Sequence, residues 1–268
     1  MVNRLSIIIV TWNTSQITCQ AINSIYKHLK DLSFEIIVVD NNSSDNTVNQ
    51  ITILQQKYSN LLLIKNKKNL GFSKANNIGV KKAGGQYLFF LNSDTLLIDN
   101  SIKQAIDYLD QNTHQLGIIA PQLLNADKSP QASVFPPQTL TNAIRQYCFN
   151  HTNQFSKYTP TGSGPVNAVS GAALIISQQD FKKIAGWNEK YFFYFEDLDL
   201  CRNIHQIHKQ VYYFKQAKVI HLHGKSSRNP TNQQWKKLIP GSLTYHGPIK
   251  HYLLTGILWL CQKIKKSP

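Results

Sequence analysis

The chain has 268 residues, with 29 Lys and Arg against 14 Asp and Glu, a formal charge of +15. Hydrophobic residues at 42% and aromatics at 10% are enough for a sizeable packed core, which excludes a disordered chain and suits one large α/β domain or two fused halves. Cys19, Cys148, Cys201 and Cys261 form no C-x-x-C pair, which argues against a zinc ribbon, a thioredoxin motif or a disulfide framework and makes a reducing cytoplasm the expected compartment.

Leu5 to Val10 follows Arg4 as a secretory leader would, yet polar Asn13 to Gln16 come next with no small-x-small cleavage pattern, so it reads as a buried first strand. Phe34 to Val39, Leu61 to Ile64 and Gln86 to Leu91 read as further strands. Between them Gln16 to Leu29, Thr47 to Tyr58 and Ser73 to Ala83 read as helices, the third stopped by Gly84 and Gly85. Strands buried on both faces need nearly unbroken apolar runs, and Ile7-Ile8-Ile9-Val10 and Ile36-Ile37-Val38-Val39 comply. The alternation predicts an α/β fold with a mostly parallel central sheet and helices on both faces. Leu116 to Leu124 and Ala132 to Phe135 continue as strands, and Pro136 to Pro165, rich in Pro, Thr, Asn and Gly, reads as a long loop or flap. Ala168 to Ser177 is a predicted strand, Gln179 to Ala185 a short helix, Asp197 to Ile207 the start of another, and Val219-Ile220 a strand.

From Pro248 the tail reads as an amphipathic basic helix. Its apolar run, Tyr252 to Cys261, is well short of the roughly 20 residues that span a bilayer. Two uses of that helix stand side by side: lying on an anionic membrane surface, or closing the protein's own core. The lysines are scattered as solvated faces, and no zinc finger, RNP signature or basic arm is present, so nucleic acid is not an expected partner.

Open α/β sheets bind ligands beyond the carboxyl ends of their strands. Those positions hold Thr11-Trp12-Asn13, then Asp40-Asn41-Asn42-Ser43-Ser44-Asp45, then Asn92-Ser93-Asp94. Neither G-x-G-x-x-G nor a Walker A loop occurs. Asp94 at a strand end can offer oxygen to a hard divalent ion shared with a diphosphate; the alternative is that it caps a turn or the helix beginning near Ser101. Glu189, Glu196, Asp197 and Asp199 crowd around the aromatic run Tyr191 to Phe195, where burial raises carboxyl pKa values and a helix start steadies the ionised form. That combination can make a general base; a simple N-cap accounts for only one of the acids. Of His221 and His223, one is expected to face the rim, and Ser170-Gly171-Ala172 to allow close backbone approach.

In order along the chain, Ser6 to Asn13, Val39-Asp40-Asn41-Asn42-Ser43, Asn69-Leu70-Gly71-Phe72, Asn76-Asn77-Ile78-Gly79, Leu91-Asn92-Ser93-Asp94, Gly186-Trp187-Asn188-Glu189, Phe195 to Cys201 and His221 resemble the family 2 glycosyltransferases of the GT-A fold, in particular their bacterial rhamnosyltransferase-like branch. The resemblance implies a GT-A domain over residues 1–226, its nucleotide-binding half about 1–115 and its acceptor half about 116–226, with 227–268 as an extension. It implies that Thr11, Asn13 and Asp40 hold the nucleoside, with Asp40 accepting from the base imide. Asn69, Gly71 and Asn77 lie near ribose and pyrophosphate, and Asn42 and Ser93 join the nucleotide set. Asp94 and His221 bind a divalent cation, Mn2+ or Mg2+. Gly171, Trp187 and Glu196 shape the sugar and acceptor pocket, and Asp197 is the catalytic base. Asn92 departs from the Asp of many relatives, and Arg202 sits one residue early and has no implied role.

The expected activity is inverting transfer of a sugar from a nucleotide diphosphate donor, dTDP-rhamnose or a UDP-hexose, to a glycan or lipid-linked saccharide acceptor. The expected place is the cytoplasm or the inner face of the cell membrane. A sugar nucleotidyltransferase or a non-enzymatic carbohydrate-binding module are the alternatives.

Overall fold

The computed structural model describes residues 4–222 and 234–266. Four strands build the parallel half of the sheet: β1 (Leu5–Thr11), β2 (Phe34–Asp40), β3 (Leu61–Lys65) and β4 (Tyr87–Leu91), side by side as β3-β2-β1-β4. β1 pairs with β2 from Leu5↔Phe34 to Thr11↔Asp40, so the two strands end level and deliver their polar successors to one rim. The crossovers are α1 (Ser15–His28), α2 (Thr47–Lys57) and α3 (Phe72–Val80).

Beyond β4 the sheet turns mixed. After β5 (Thr95–Leu97), α4 (Ser101–Gln111), β6 (Leu116–Leu124), β7 (Val134–Phe135), α5 (Leu140–Tyr147), β8 (Gly164–Val166) and β9 (Ala168–Val169) comes β10 (Ala173–Ser177), which inserts antiparallel between β4 and β6. α6 (Gln178–Lys183), α7 (Glu196–Gln206), β11 (Gln210–His221), α8 (Gln234–His246) and α9 (Pro248–Lys266) complete the described chain. β11 runs parallel to β6 with a bulge between Phe214 and Lys218, and carries β5 and β8 on its antiparallel sides.

One face of the sheet packs Ile22 and Ile25 of α1, Ile51 of α2 and Ile102 and Ile106 of α4 against Ile7, Ile9 and Phe89. The other packs Phe181, Trp187, Leu198 and Ile204 against Ile8, Phe90 and Ile118. At roughly 1.5–3 kcal/mol for each fully buried large apolar side chain, these two layers are the main stabilising contribution.

Several expectations are corrected. The third helix ends at Val80, and Gly85 instead lets the chain pass close to β1: a Cβ there would sit 2.6 Å from the Ser6 nitrogen. The span Pro136 to Pro165 is not a bare loop, since it holds α5, capped by the Thr139 hydroxyl accepting from the Asn142 N–H (3.1 Å), and β8. The single strand predicted over Ala168 to Ser177 is two, because Ser170 to Ala172 leave the ladder at the site described below. Cys148 and Cys261 form a disulfide across a sequence separation of 113, a pairing that spacing alone could not reveal. It fastens α5 to α9.

Candidate active site

On the nucleotide side of the rim, Asp40 is buried; its Oδ2 accepts from the Ser43 N–H (3.0 Å), while Oδ1 is enclosed with no donor among the described residues. Thr11 is spent on a hydroxyl cluster with Thr14 and Thr18 (2.8 Å each), and the Ser93 hydroxyl accepts from Thr14 (3.4 Å). Asn13 accepts from the Ser44 N–H (2.7 Å) through its side chain, which locks the loop after β2 against the end of β1. These three residues hold the rim's shape. Asn42 stands exposed at the loop tip with φ 66°, and Trp12 is 45% exposed beside them.

The Asn69–Phe72 loop is pinned from two sides. Asn69 Oδ1 accepts from the Gly71 N–H (3.0 Å), Asn41 Nδ2 donates to the Gly71 carbonyl (3.0 Å), and the Phe72 N–H donates to the Phe192 carbonyl (2.8 Å). Gly71 has φ 81° and ψ 179°, and a Cβ there would lie 2.5 Å from the Phe192 oxygen, so glycine is required. Asn77 donates to the Trp187 carbonyl (2.8 Å) and to Glu189 (3.1 Å) and accepts from the Trp187 N–H (3.1 Å). It thereby positions Trp187.

Asp94 Oδ1 and His221 Nε2 are 3.3 Å apart, both buried. His221 Nδ1 lies 2.7 Å from Gln131 Oε1, an atom that can only accept, so Nδ1 carries a proton and Nε2 is the ring nitrogen that faces Asp94. A carboxylate and an imidazole nitrogen that face each other are the ligand types a divalent cation takes. Neither capping role falls to the Asp94 carboxylate: the turn after β4 is closed by Thr95 donating to the Asn92 carbonyl (2.7 Å), and the Ser101 N–H is taken by Asp99 (2.9 Å). Among the described residues no group of three or more His, Cys, Asp or Glu surrounds a metal. Asp94 and His221 fit a hard divalent ion that also takes oxygen ligands from substrate phosphates. His223 lies outside the described residues.

Across the rim, α7 begins at Glu196 behind two consecutive left-handed residues, Tyr194 (φ 74°) and Phe195 (φ 71°), a backbone arrangement that costs on the order of 1–3 kcal/mol for each residue. Asp197 Oδ2 accepts from the Gly171 N–H (3.2 Å) and Oδ1 from the Leu198 N–H (2.9 Å). Burial raises the pKa of Asp197, with Lys157 the principal opposing charge. Burial also pushes Glu196 up to about 8, helped by the charge on Asp197, and its Oε2 has no hydrogen-bond partner among the described residues. A Cβ on Gly171 would touch Asp197 Cβ (3.4 Å), Trp187 Cη2 (3.5 Å) and Phe72 Cε1 (3.7 Å), so these four residues converge. The Asn92 N–H donates to the Ala172 carbonyl (2.9 Å), which joins the Asp94 strand end to the Gly171–Asp197 contact at one junction.

Asp199, by contrast, is an anchor: buried, it accepts from Asn188 (3.2 Å), Tyr191 (3.2 Å) and Arg202. Arg202 thereby gains a role that sequence did not supply, since its guanidinium also lies over the Tyr245 ring (4.5 Å) and donates to the Tyr245 carbonyl (3.3 Å), tying α7 to α8. Gln131 and Lys157 were likewise not picked out, both lying in segments without a motif.

The family model described as Glycosyl transferase family 2 matches residues 6–163. Among curated proteins, the chain is 26% identical over 208 residues to the low-salt glycan biosynthesis hexosyltransferase Agl10 of Haloferax volcanii, covering 75% of this chain and 61% of that protein. It is 27% identical over 157 residues to the poly(ribitol-phosphate) beta-N-acetylglucosaminyltransferase TarS of Staphylococcus aureus, covering 56% of this chain, and spans 27% of the length of TarS. Among solved structures, the mannosyltransferase PcManGT of Pyrobaculum calidifontis, in complex with GDP-Man and Mn2+, is similar with a TM-score of 0.65 at 15% identity, covering 98% of this chain and 74% of that one. The TarS 1–349 structure of S. aureus has a TM-score of 0.59 at 17% identity over 98% and 72% of the two chains. These likenesses establish the GT-A architecture of the fold.

Proposed function

The chain belongs to glycosyl transferase family 2, and from that premise we propose that it is a metal-dependent inverting transferase. It moves a sugar from a nucleotide diphosphate donor, dTDP-rhamnose or a UDP-hexose, to a hydroxyl of a glycan or lipid-linked glycan in cell-surface polysaccharide synthesis. Residues 1–226 are its GT-A unit. The observation that carries this reading is the junction at which the Asn92–Ala172 bond (2.9 Å) and the Gly171–Asp197 bond (3.2 Å) link the strand end that bears Asp94 to the start of the helix that bears Asp197.

Each residue then has a task. Asp40, through the enclosed Oδ1, accepts from the imide N–H of uracil or thymine, and the exposed face of Trp12 offers the base a stacking surface. Thr11, Asn13 and Ser93 keep that cradle in shape; Asn42, Asn69 and Gly71 border the ribose and diphosphate. Asp94 and His221 hold the divalent ion, which when bound offsets the charge developing on the diphosphate leaving group. Trp187 and Gly171 shape the sugar pocket. Asp197 removes the acceptor hydroxyl proton as that oxygen attacks the anomeric carbon from the face opposite the diphosphate, and no covalent enzyme intermediate is needed. Glu196, held protonated by burial, donates a hydrogen bond to a sugar oxygen. Agl10 and TarS, named as transferases for glycan and poly(ribitol-phosphate) respectively, support an acceptor of the cell-surface class.

The test is a thermal-shift screen of nucleotide sugars with and without Mn2+, followed by acceptor-dependent release of nucleoside diphosphate. A donor at about 100 times its Kd stabilises the native state by about 2.7 kcal/mol. Asp197→Asn should keep that shift and lose about 10² to 10⁴ in turnover. Undiminished turnover in Asp197→Asn would overturn the assignment of the base.

A further inference from the structure

Residues 136–165 hold no Asp or Glu, and their Lys and Arg are Arg145 and Lys157. α5 fixes the second of these through a built turn. Gln146, near the end of the helix, accepts through Oε1 from the N–H groups of Gln154 (3.0 Å), Phe155 (2.7 Å) and Ser156 (3.0 Å) and donates through Nε2 to the Ser156 hydroxyl. Tyr147 packs edge-on against Phe155 (ring centroids 5.9 Å). Three N–H donors on one side-chain oxygen hold the residues that lead directly into Lys157.

Beyond that turn Tyr158 pairs antiparallel with Val134, its N–H donating to the Val134 carbonyl (2.9 Å) and its carbonyl accepting from the Val134 N–H (3.1 Å). Lys157 therefore falls opposite Phe135, and its Nζ lies 4.6 Å from the Phe135 ring centroid. Val134 and Phe135 pair in turn with Val169 and Ala168 of β9. The chain then reaches Ser170, whose N–H donates to the Ser133 carbonyl (2.8 Å), and Gly171, whose N–H donates to Asp197 Oδ2 (3.2 Å). One short ribbon thus joins the lysine to the buried carboxyl.

The other ionisable groups around the Glu196–Asp197 pair leave the balancing charge to Lys157. Burial pushes the Cys201 thiol up to about 12 and raises the Tyr194 and Tyr245 hydroxyls, so all three are neutral. Burial pulls His246, whose ring stands edge-on to Phe195, down to about 4, and the Arg202 guanidinium is turned to Asp199. The charge of Lys157 bears on both Glu196 and Asp197, and for Asp197 it is the strongest influence opposing burial, ahead of the Gly171 and Leu198 N–H groups.

We propose that Lys157 is a positioning residue of the transfer: its ammonium, placed by α5 and the β7–β9 ribbon, holds Asp197 in the carboxylate form that takes the acceptor proton, while the proton of the buried pair stays on Glu196. Two adjacent buried carboxyls do not both ionise readily, so a cation that favours one of them decides which keeps the proton. This deepens the transferase reading and rests on it for the use made of Asp197 as the base.

The experiment follows the side-chain carboxyl 13C resonance of Asp197 against pH in the full chain labelled at aspartate, without nucleotide, metal or acceptor; the resonance is identified by its absence in Asp197→Asn. Lys157→Met removes the charge and keeps an unbranched chain, and because Lys157 is exposed its circular dichroism and melting temperature should match wild type. The Asp197 midpoint is expected to rise by about half to one pH unit, about three- to tenfold in the ionisation constant, a modest value for an opposite charge because the ammonium is open to solvent. Lys157→Arg should restore it, and about 1 M salt should shrink the difference. Gln146→Ala, which releases the turn and keeps the charge, should move the midpoint in the same direction by less.

An unmoved midpoint in folded Lys157→Met overturns the proposal; if KM for an anionic acceptor rises in that same protein, Lys157 is a ligand of the acceptor instead. A rise that Lys157→Arg shows to the same extent also overturns it, since that traces the change to lost packing on Phe135 rather than to charge. The titration needs no turnover, so it gives its result whether or not nucleoside diphosphate release is found, and failure of the transferase reading is seen separately.

Discussion

Gln131→Leu isolates the residue that fixes the His221 tautomer. The substitution nearly conserves volume and removes three bonds: Oε1 to His221 Nδ1 (2.7 Å), Nε2 to the His221 carbonyl (3.0 Å) and Nε2 to Asn125 Oδ1 (2.8 Å). At about 0.5–1.5 kcal/mol for each net hydrogen bond, and with Gln131 only half-buried, the fold should lose about 1–3 kcal/mol and remain assembled. The larger effect is expected on binding of the proposed cation. Without an acceptor at Nδ1 the imidazole is free to turn and to place its proton on Nε2, the atom that faces Asp94 at 3.3 Å. Loss of such a supporting partner typically lowers metal affinity by about 10- to 100-fold, about 1.4–2.7 kcal/mol. Titrating Mn2+ into wild type and variant in the presence of UDP, with the free ion followed by electron paramagnetic resonance, measures it directly. Unchanged Mn2+ affinity in a folded variant would refute the tautomer argument, and with it the role assigned to His221.

Asp94→Ala should weaken Mn2+-dependent UDP binding while leaving the melting temperature nearly unchanged, because neither neighbouring turn uses its carboxylate as a cap; equal UDP affinity with and without chelator in both proteins would count against a metal role. Burial raises both Asp197 and Glu196, so the acid limb of kcat/KM should lie above the ordinary carboxylate range. For stability the sign is opposite to that of a salt-bridged acid: the folded state holds these protons more tightly than the unfolded one, so stability falls as pH rises from the ordinary carboxylate range toward about 8, and Glu196→Gln should flatten that slope in urea melts. Gly71→Ala forces a Cβ to 2.5 Å from the Phe192 oxygen at φ 81°, and should cost more than about 2 kcal/mol and weaken UDP binding, read by calorimetry and titration. Arg202→Met leaves Asp199 with Asn188, Tyr191 and Asn203 as donors, and because the Arg202 side chain is 42% exposed the expected loss is about 1–2 kcal/mol by urea denaturation rather than the full cost of breaking a buried pair.

The parallel half of the fold was legible because doubly covered strands must be continuous Ile and Val, and that pattern has few other uses. β11 was read only at Val219-Ile220, since Lys215, Gln216 and Lys218 interrupt its apolar rhythm where the bulge lets the strand leave β6 at Phe214 and rejoin it at Lys218. α5 was hidden by Pro136, Pro137 and the turn residues that follow it, although Thr139 is the kind of cap that starts a helix. In the site, strand-end acids and the Glu196-Asp197 pair carry their own chemical signal. Gln131 and Arg202 do not, because their significance lies in which side chain they meet across the fold, 90 residues away for Gln131 and on a helix more than 30 residues later for Arg202. The tail could not be divided between core and surface by hydrophobic periodicity, and the reason is now visible: α9 buries one apolar stripe and exposes another.

The family match ends at residue 163, before Asp197 and His221, so the positions of the proposed base and of one proposed metal ligand depend on how the remaining chain is held. The strained pair Tyr194 and Phe195 directly precedes Glu196 and Asp197 at the start of α7, and left-handed tyrosine and phenylalanine persist only where surrounding contacts over-determine them. Those contacts come from both directions. Phe192 accepts from the Phe72 N–H (2.8 Å) on the nucleotide side, while Phe195 stacks near Tyr245 (ring centroids 5.7 Å) and Gly241 of α8 lies flush against the Tyr194 carbonyl on the other. The Asn69–Phe72 loop and α8 therefore bear on the same turn from opposite sides, and that turn sets the start of α7 at Glu196 and Asp197.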